Sequence, residues 1–72
     1  MDKTSIKKDL ISGTKELSRV CQEVEALFKI KQITEKEVAE MFTRAFGRTT
    51  AMLHISKMFT SKTANAILAE IK

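Results

Sequence analysis

Residues 34–47, Thr34-Glu35-Lys36-Glu37-Val38-Ala39-Glu40-Met41-Phe42-Thr43-Arg44-Ala45-Phe46-Gly47, hold both a start signal and a stop signal for one helix. Thr34 and Glu37 make a capping box. The Thr34 hydroxyl accepts the Glu37 amide proton and the Glu37 carboxylate accepts the Thr34 amide proton, so two donors stranded at a helix start are satisfied reciprocally. Ile33 before the cap and Val38 after it supply a hydrophobic staple. Val38, Met41, Phe42, Ala45 and Phe46 recur at three- and four-residue intervals and fall on one inward face. Gly47 offers a C-terminal cap, because glycine enters positive φ without steric cost. The signals predict a short helix of about 12 residues. The same apolar positions also fit one long helix over 35–59 that runs through Gly47, and the fold turns on which reading holds.

Downstream, Thr49 or Thr50 is placed to cap a third helix whose apolar residues are Ala51, Met52, Ile55, Met58 and Phe59. Thr60 or Ser61 then caps a fourth, with Ala64, Ile67, Leu68 and Ile71 on one face. Upstream, Ile6, Leu10, Leu17, Val20, Cys21, Val24, Leu27 and Phe28 keep helical spacing and predict a first helix of up to about 25 residues, ending near Ile30. Gly13 interrupts it at a cost of about 1 kcal/mol relative to Ala. The alternative is therefore an N-cap at Ser12 or Thr14, with residues 1–11 a frayed arm or a short separate turn. The absence of Pro and the supply of Ala, Leu, Lys, Glu and Met agree with an all-α chain. The expected fold is a single helical domain over 1–72, a bundle of three to four helices.

A chain of 72 residues buries only about 60% of its unfolded surface, so a supplement to its core is expected. Cys21 is the single cysteine, which excludes an internal disulfide, and it has no Cys or His neighbour at zinc-ligand spacing. Self-association is left, and a homodimer is the expected state. Leu10, Leu17 and Val24 are seven apart, as are Val20 and Leu27; this set is either a short coiled-coil seam between two copies or an ordinary core face. Neither a signal peptide nor a membrane span can be written, and the expected compartment is the cytoplasm. An enzyme is not expected: His54 is the single histidine, no acid stands near it in sequence, and no cofactor motif or small-molecule pocket can be written.

The charge pattern is the main functional clue. Between Met41 and Ala69 the chain carries Arg44, Arg48, Lys57 and Lys62 and no Asp or Glu, so this window alone accounts for the net charge of +4. The other nine Lys and Arg are matched by nine Asp and Glu. An acid-free basic segment points to a polyanionic partner, or else to a solvated helical surface.

If Gly47 ends a helix, Thr34 through Phe42, with small Ala39 between apolar neighbours, resembles the first helix of the helix-turn-helix DNA-binding superfamily, broadly the ParB-type plasmid regulators. Gly47-Arg48-Thr49-Thr50-Ala51-Met52-Leu53-His54-Ile55-Ser56-Lys57 is similar to the turn and recognition helix of that motif. The departure is Thr43-Arg44-Ala45-Phe46, an extra helical turn where the motif already turns. The resemblance covers about 25 residues and implies a small phage, plasmid or bacterial regulator that places this helix in duplex DNA.

The residues point the same way on their own. With Met52, Ile55 and Phe59 inward, Thr49, Leu53 and Lys57 form one outer row and Thr50 and His54 its neighbour, a set suited to phosphates and base edges. Arg44, Arg48 and Lys62 flank it as phosphate contacts. The alternative is a protein-interaction module, an adaptor or inhibitor that binds an acidic surface, with Leu53 as its apolar anchor. A third reading, an RNA binder, is disfavoured because all four Phe fall on inward faces.

Overall fold

Gly47 ends one helix and begins the next. In a computed structural model that describes residues 3–71, five helices follow in order: α1 Lys3–Ser12, α2 Leu17–Lys29, α3 Glu35–Phe46, α4 Arg48–Met58 and α5 Ser61–Ile71. No strand occurs among the described residues. The all-α expectation holds, and the helix count is higher than the three to four read from the sequence.

The additional helix comes from Gly13. Its backbone sits at φ +68°, which a right-handed helix cannot contain, so the expected 25-residue first helix is two shorter ones. The Gly13 amide donates to the Asp9 carbonyl at 3.0 Å and closes α1. Residues 3–12 are thus a packed helix, neither a frayed arm nor a turn, because Ile6 and Leu10, one helical turn apart, are both buried. Exposed ion pairs tie down its ends. Lys3 Nζ lies 2.7 Å from Glu37 Oε2, and Lys15 Nζ lies 3.2 Å from Asp9 and 2.8 Å from Glu23. Such pairs contribute at most about 1 kcal/mol each, so the two apolar side chains do most of the holding. The N-cap position of α2 is Glu16, without a side-chain cap, and neither Ser12 nor Thr14 takes that place.

α2 closes on a Schellman motif. Lys31 donates to the Phe28 carbonyl at 3.1 Å and Gln32 to the Leu27 carbonyl at 2.9 Å, with Lys31 in the left-handed region at φ +57°. A lysine there costs about 1–2 kcal/mol relative to the right-handed conformation.

The capping box of α3 forms as read. Thr34 Oγ1 accepts from the Glu37 amide at 3.2 Å, and Glu37 Oε1 accepts from the Thr34 amide at 3.1 Å. The ion pair with Lys3, and then the amide and hydroxyl of Thr34, hold the Glu37 carboxyl below the usual carboxylate range. Ile33 and Val38, the staple pair, are both buried.

α3, α4 and α5 pack pairwise, α1 lies on α2 and α3, and α2 touches α4. Phe42 is at the centre. It is fully buried, its ring 5.8 Å from that of Phe46 and 5.9 Å from that of Phe59. Cys21 is a core residue whose thiol is pushed up to about 12, first by burial and then by the Glu25 charge. Because the thiolate is the species that alkylates, iodoacetamide at mildly alkaline pH is expected to label Cys21 no faster than the chain unfolds. Labelling that outpaces unfolding, followed by mass spectrometry, would contradict the buried placement.

Candidate nucleic-acid interface

α4 owes its orientation to a one-residue link. Gly47 stands at φ +84° and ψ 161°, a region essentially closed to other residues, and it serves as C-cap of α3 and N-cap of α4 together. Its amide donates back to Thr43 at 2.8 Å and its carbonyl accepts from Ala51 at 2.9 Å. The long-helix alternative over 35–59 is excluded. Thr49 and Thr50 do not cap the third predicted helix, because α4 already begins at Arg48 and both threonines lie in its first turn. The link is also shorter than the three- to four-residue turn of the helix-turn-helix motif.

Ala51 and Ile55 seat α4 in the core. Its outer surface exposes Arg48, Thr49, Thr50, Leu53, Ser56 and Lys57, with no acidic side chain anywhere in the helix. The Ser56 hydroxyl turns back to donate to the Met52 carbonyl at 2.9 Å, which leaves the two threonines as the freer hydroxyls. Leu53 is 51% exposed, as an outer-row residue should be. His54 is less free than its place in the sequence implied: half-buried, its ring stands edge-on to Phe46 at 4.8 Å. Met58, read as core, is instead 41% exposed, because the helix ends there and extended Phe59 takes the core position.

The flanking cations divide. Arg44 and Arg48 come together in a cleft between α3 and α5, where they are joined by Lys36 and by the carboxylates of Glu40 and Glu70. Arg44 also lines a neighbouring cleft with Lys3, Lys7, Glu37 and Glu40, so α1 adds two cations to this side. Lys62 is elsewhere, in a third cleft with Phe28 and Lys31. The segment that is acid-free in sequence is therefore not acid-free in space around Arg44 and Arg48. It is acid-free along α4. Lys3 and Lys7, one turn apart, are the signal for the added cations, and they lie outside the Met41–Ala69 window that the charge count singles out.

The residues read as a dimer seam are used within the chain. Leu10, Val20, Val24 and Leu27 are buried in the core and Leu17 packs against it, with Leu10 on α1 and the others on α2. No continuous helix carries the heptad spacing across Gly13. Among the described residues no three His, Cys, Asp or Glu converge as metal ligands, and no helix is long and apolar enough to cross a membrane.

No protein-family model, curated protein or solved structure matches this chain.

Proposed function

We propose that the protein is a small duplex-DNA-binding regulatory or accessory protein that lays the outer face of α4 against the nucleic acid. The observation that carries this reading is the composition of that face: Thr49, Thr50, Leu53 and Lys57, all exposed, on a helix without a carboxylate, with exposed Arg48 at its first residue sharing a cleft with Arg44. Arg48 and Lys57 neutralise phosphates at its two ends. Thr49 and Thr50 supply hydroxyls at the start of the helix, where backbone amides and the helix dipole also favour phosphate. Leu53 stands where it would meet base edges, with apolar contact to a thymine methyl as its available chemistry. Arg44, Lys36 and Lys7 extend the cationic side, while Glu40 and Glu70 restrain it.

Fluorescence anisotropy with a labelled duplex over a salt series tests the proposal. With Arg44, Arg48 and Lys57 each on a phosphate, the slope of log K against log salt is expected near about −3, since each contact contributes about −0.9. Arg48→Ala with Lys57→Ala should lower affinity at least tenfold and flatten the slope by about two, whereas Glu40→Gln with Glu70→Gln should tighten binding. A chain without duplex affinity at low salt, or one indifferent to the Arg48 and Lys57 changes, sinks the proposal.

A second reading, a protein-interaction module, is favoured by the outward Leu53 and Met58, 51% and 41% exposed on the same helix. Under it, Leu53→Asp abolishes capture of a partner that survives nuclease treatment. Loss of capture with nuclease alone restores the DNA reading.

A further inference from the structure

The cleft that holds Lys62 differs in character from the α4 face. Phe28 and Ala66 line it with apolar surface over buried Ile33, Lys31 and Lys62 bring two cations, and Glu35 is its single acid. Its volume is about 660 Å³, enough for one bulky side chain and the backbone that carries it. Ile30, next to this lining in sequence, is 62% exposed. Among the described residues neither Lys31 nor Lys62 is ion-paired.

The backbone beneath Lys31 points to a role for its side chain. Lys31 is the C′ residue of the Schellman motif at φ +57°, and it is the one non-glycine residue with positive φ among those described. Glycine fits that position without strain. A lysine there carries a conformational penalty and lines the cleft, and residues held in strained backbone gather at ligand-contacting sites.

We infer that this cleft, between the α2–α3 loop and the first turns of α5, is a docking site for an acidic peptide segment of another protein, one that inserts a bulky apolar side chain against Phe28, Ile33 and Ala66 and sets its carboxylates on Lys31 and Lys62. Charge complementarity selects this occupant. The two unpaired ammonium groups face a basic second copy of this chain unfavourably, and a nucleic acid backbone would use the two cations but leave the apolar lining uncovered. The anchor-and-rim layout, an apolar centre with charge at its edge, is that of peptide-recognition grooves. The site is independent of the α4 face.

Selection of a displayed random-peptide library on the full chain, followed by anisotropy with a selected peptide and amide chemical-shift mapping, tests the inference. Selected peptides should combine Asp or Glu with Leu, Phe or Trp, and their shifts should fall on Thr63, Ala66 and the 30–34 loop. Lys31→Glu with Lys62→Glu should weaken the peptide more than tenfold. Lys31→Gly is the sharper variant: it relieves the backbone and should raise Tm by several degrees, yet weaken the peptide several-fold, a combination that a purely structural lysine cannot produce. Peptides without acids, shifts confined to α4, displacement of the peptide by duplex DNA, or full affinity in Lys31→Gly would each overturn it.

Discussion

Phe42→Ala is expected to leave the chain without a cooperative unfolding transition. Phe42 is fully buried, and its ring joins Phe46 on its own helix to Phe59 beyond α4. Truncating a buried Phe to Ala costs about 3–5 kcal/mol through lost transfer energy and the cavity left behind. The tilted and edge-on ring pairs add about 0.5–1.5 kcal/mol apiece beyond burial. A core in a domain under 70–80 residues rarely supplies more than about 3–5 kcal/mol of net stability. One substitution therefore removes roughly all of it. Urea titration followed by far-ultraviolet circular dichroism reads the result, with a sloping, non-sigmoidal signal expected for Phe42→Ala. Phe42→Leu, which keeps most of the volume, should retain a sigmoidal transition at a lower midpoint. A wild-type midpoint in Phe42→Ala would show that this ring is not the centre of the core.

What could be read from residues alone followed the strength of local signals. The capping box at Thr34 and Glu37 needs nothing beyond four consecutive residues, and it forms with both reciprocal hydrogen bonds. The inward positions of α3 and α5 were legible for a related reason, since Val38, Phe42, Ala64 and Ile67 belong to short helices with a single buried face. Gly13 was harder. Leu10 and Leu17 are seven residues apart, so the apolar phase runs unbroken across the glycine and a continuous helix fits as well as two. Only the packing of Ile6 and Leu10 against α2 and α3 decides between them, and that is a tertiary matter. α4 shows the same limit from the other side. It places Leu53 and Met58 outward while Ala51 and Ile55 go inward, so its periodicity is blurred and spacing alone puts Met58 in the core.

The candidate site was legible on α4 and illegible around it. Arg48, Thr49, Thr50 and Lys57 sit on one helix, where spacing fixes their relation. Arg44 and Lys62 were grouped by proximity in sequence, yet they line different clefts. Glu40 and Glu70 lie outside the acid-free window on either side, and folding returns both to Arg44 and Arg48. Charge counted along a chain predicts charge in space only within a single element.

Gly47→Ala is expected to destabilise the fold by about 1–3 kcal/mol through the backbone alone. A methyl group built on Gly47 meets no atom within 4 Å, so no steric clash with neighbours contributes. The cost comes from φ +84° with ψ 161°, where an L side chain collides with its own backbone. At about 4–8 °C per kcal/mol for a domain of this size, the expected fall in Tm ranges from several degrees to about 20 °C. The chain has one way to escape the strain, which is to let Gly47 turn helical and fuse α3 with α4. That would swing Ile55 and Phe59 out of the core, where they are 0% and 6% exposed, and burying them outweighs the strain. A chemically synthesised chain with a D-alanine at this position separates the backbone effect from any other. The mirror-image residue accepts this φ and ψ, so it should melt at or above the wild-type temperature while Gly47→Ala melts well below it. Equal melting of the two would mean that the strain lies elsewhere. The same pair tests the link between fold and binding, because Gly47 sets the direction in which α4 leaves α3 and hence the relation of Arg48 to Arg44. The D-alanine chain is expected to keep wild-type duplex affinity. In Gly47→Ala, affinity measured well below the melting temperature should fall in step with any reorientation of α4, seen as displaced amide resonances from Arg48 to Lys57.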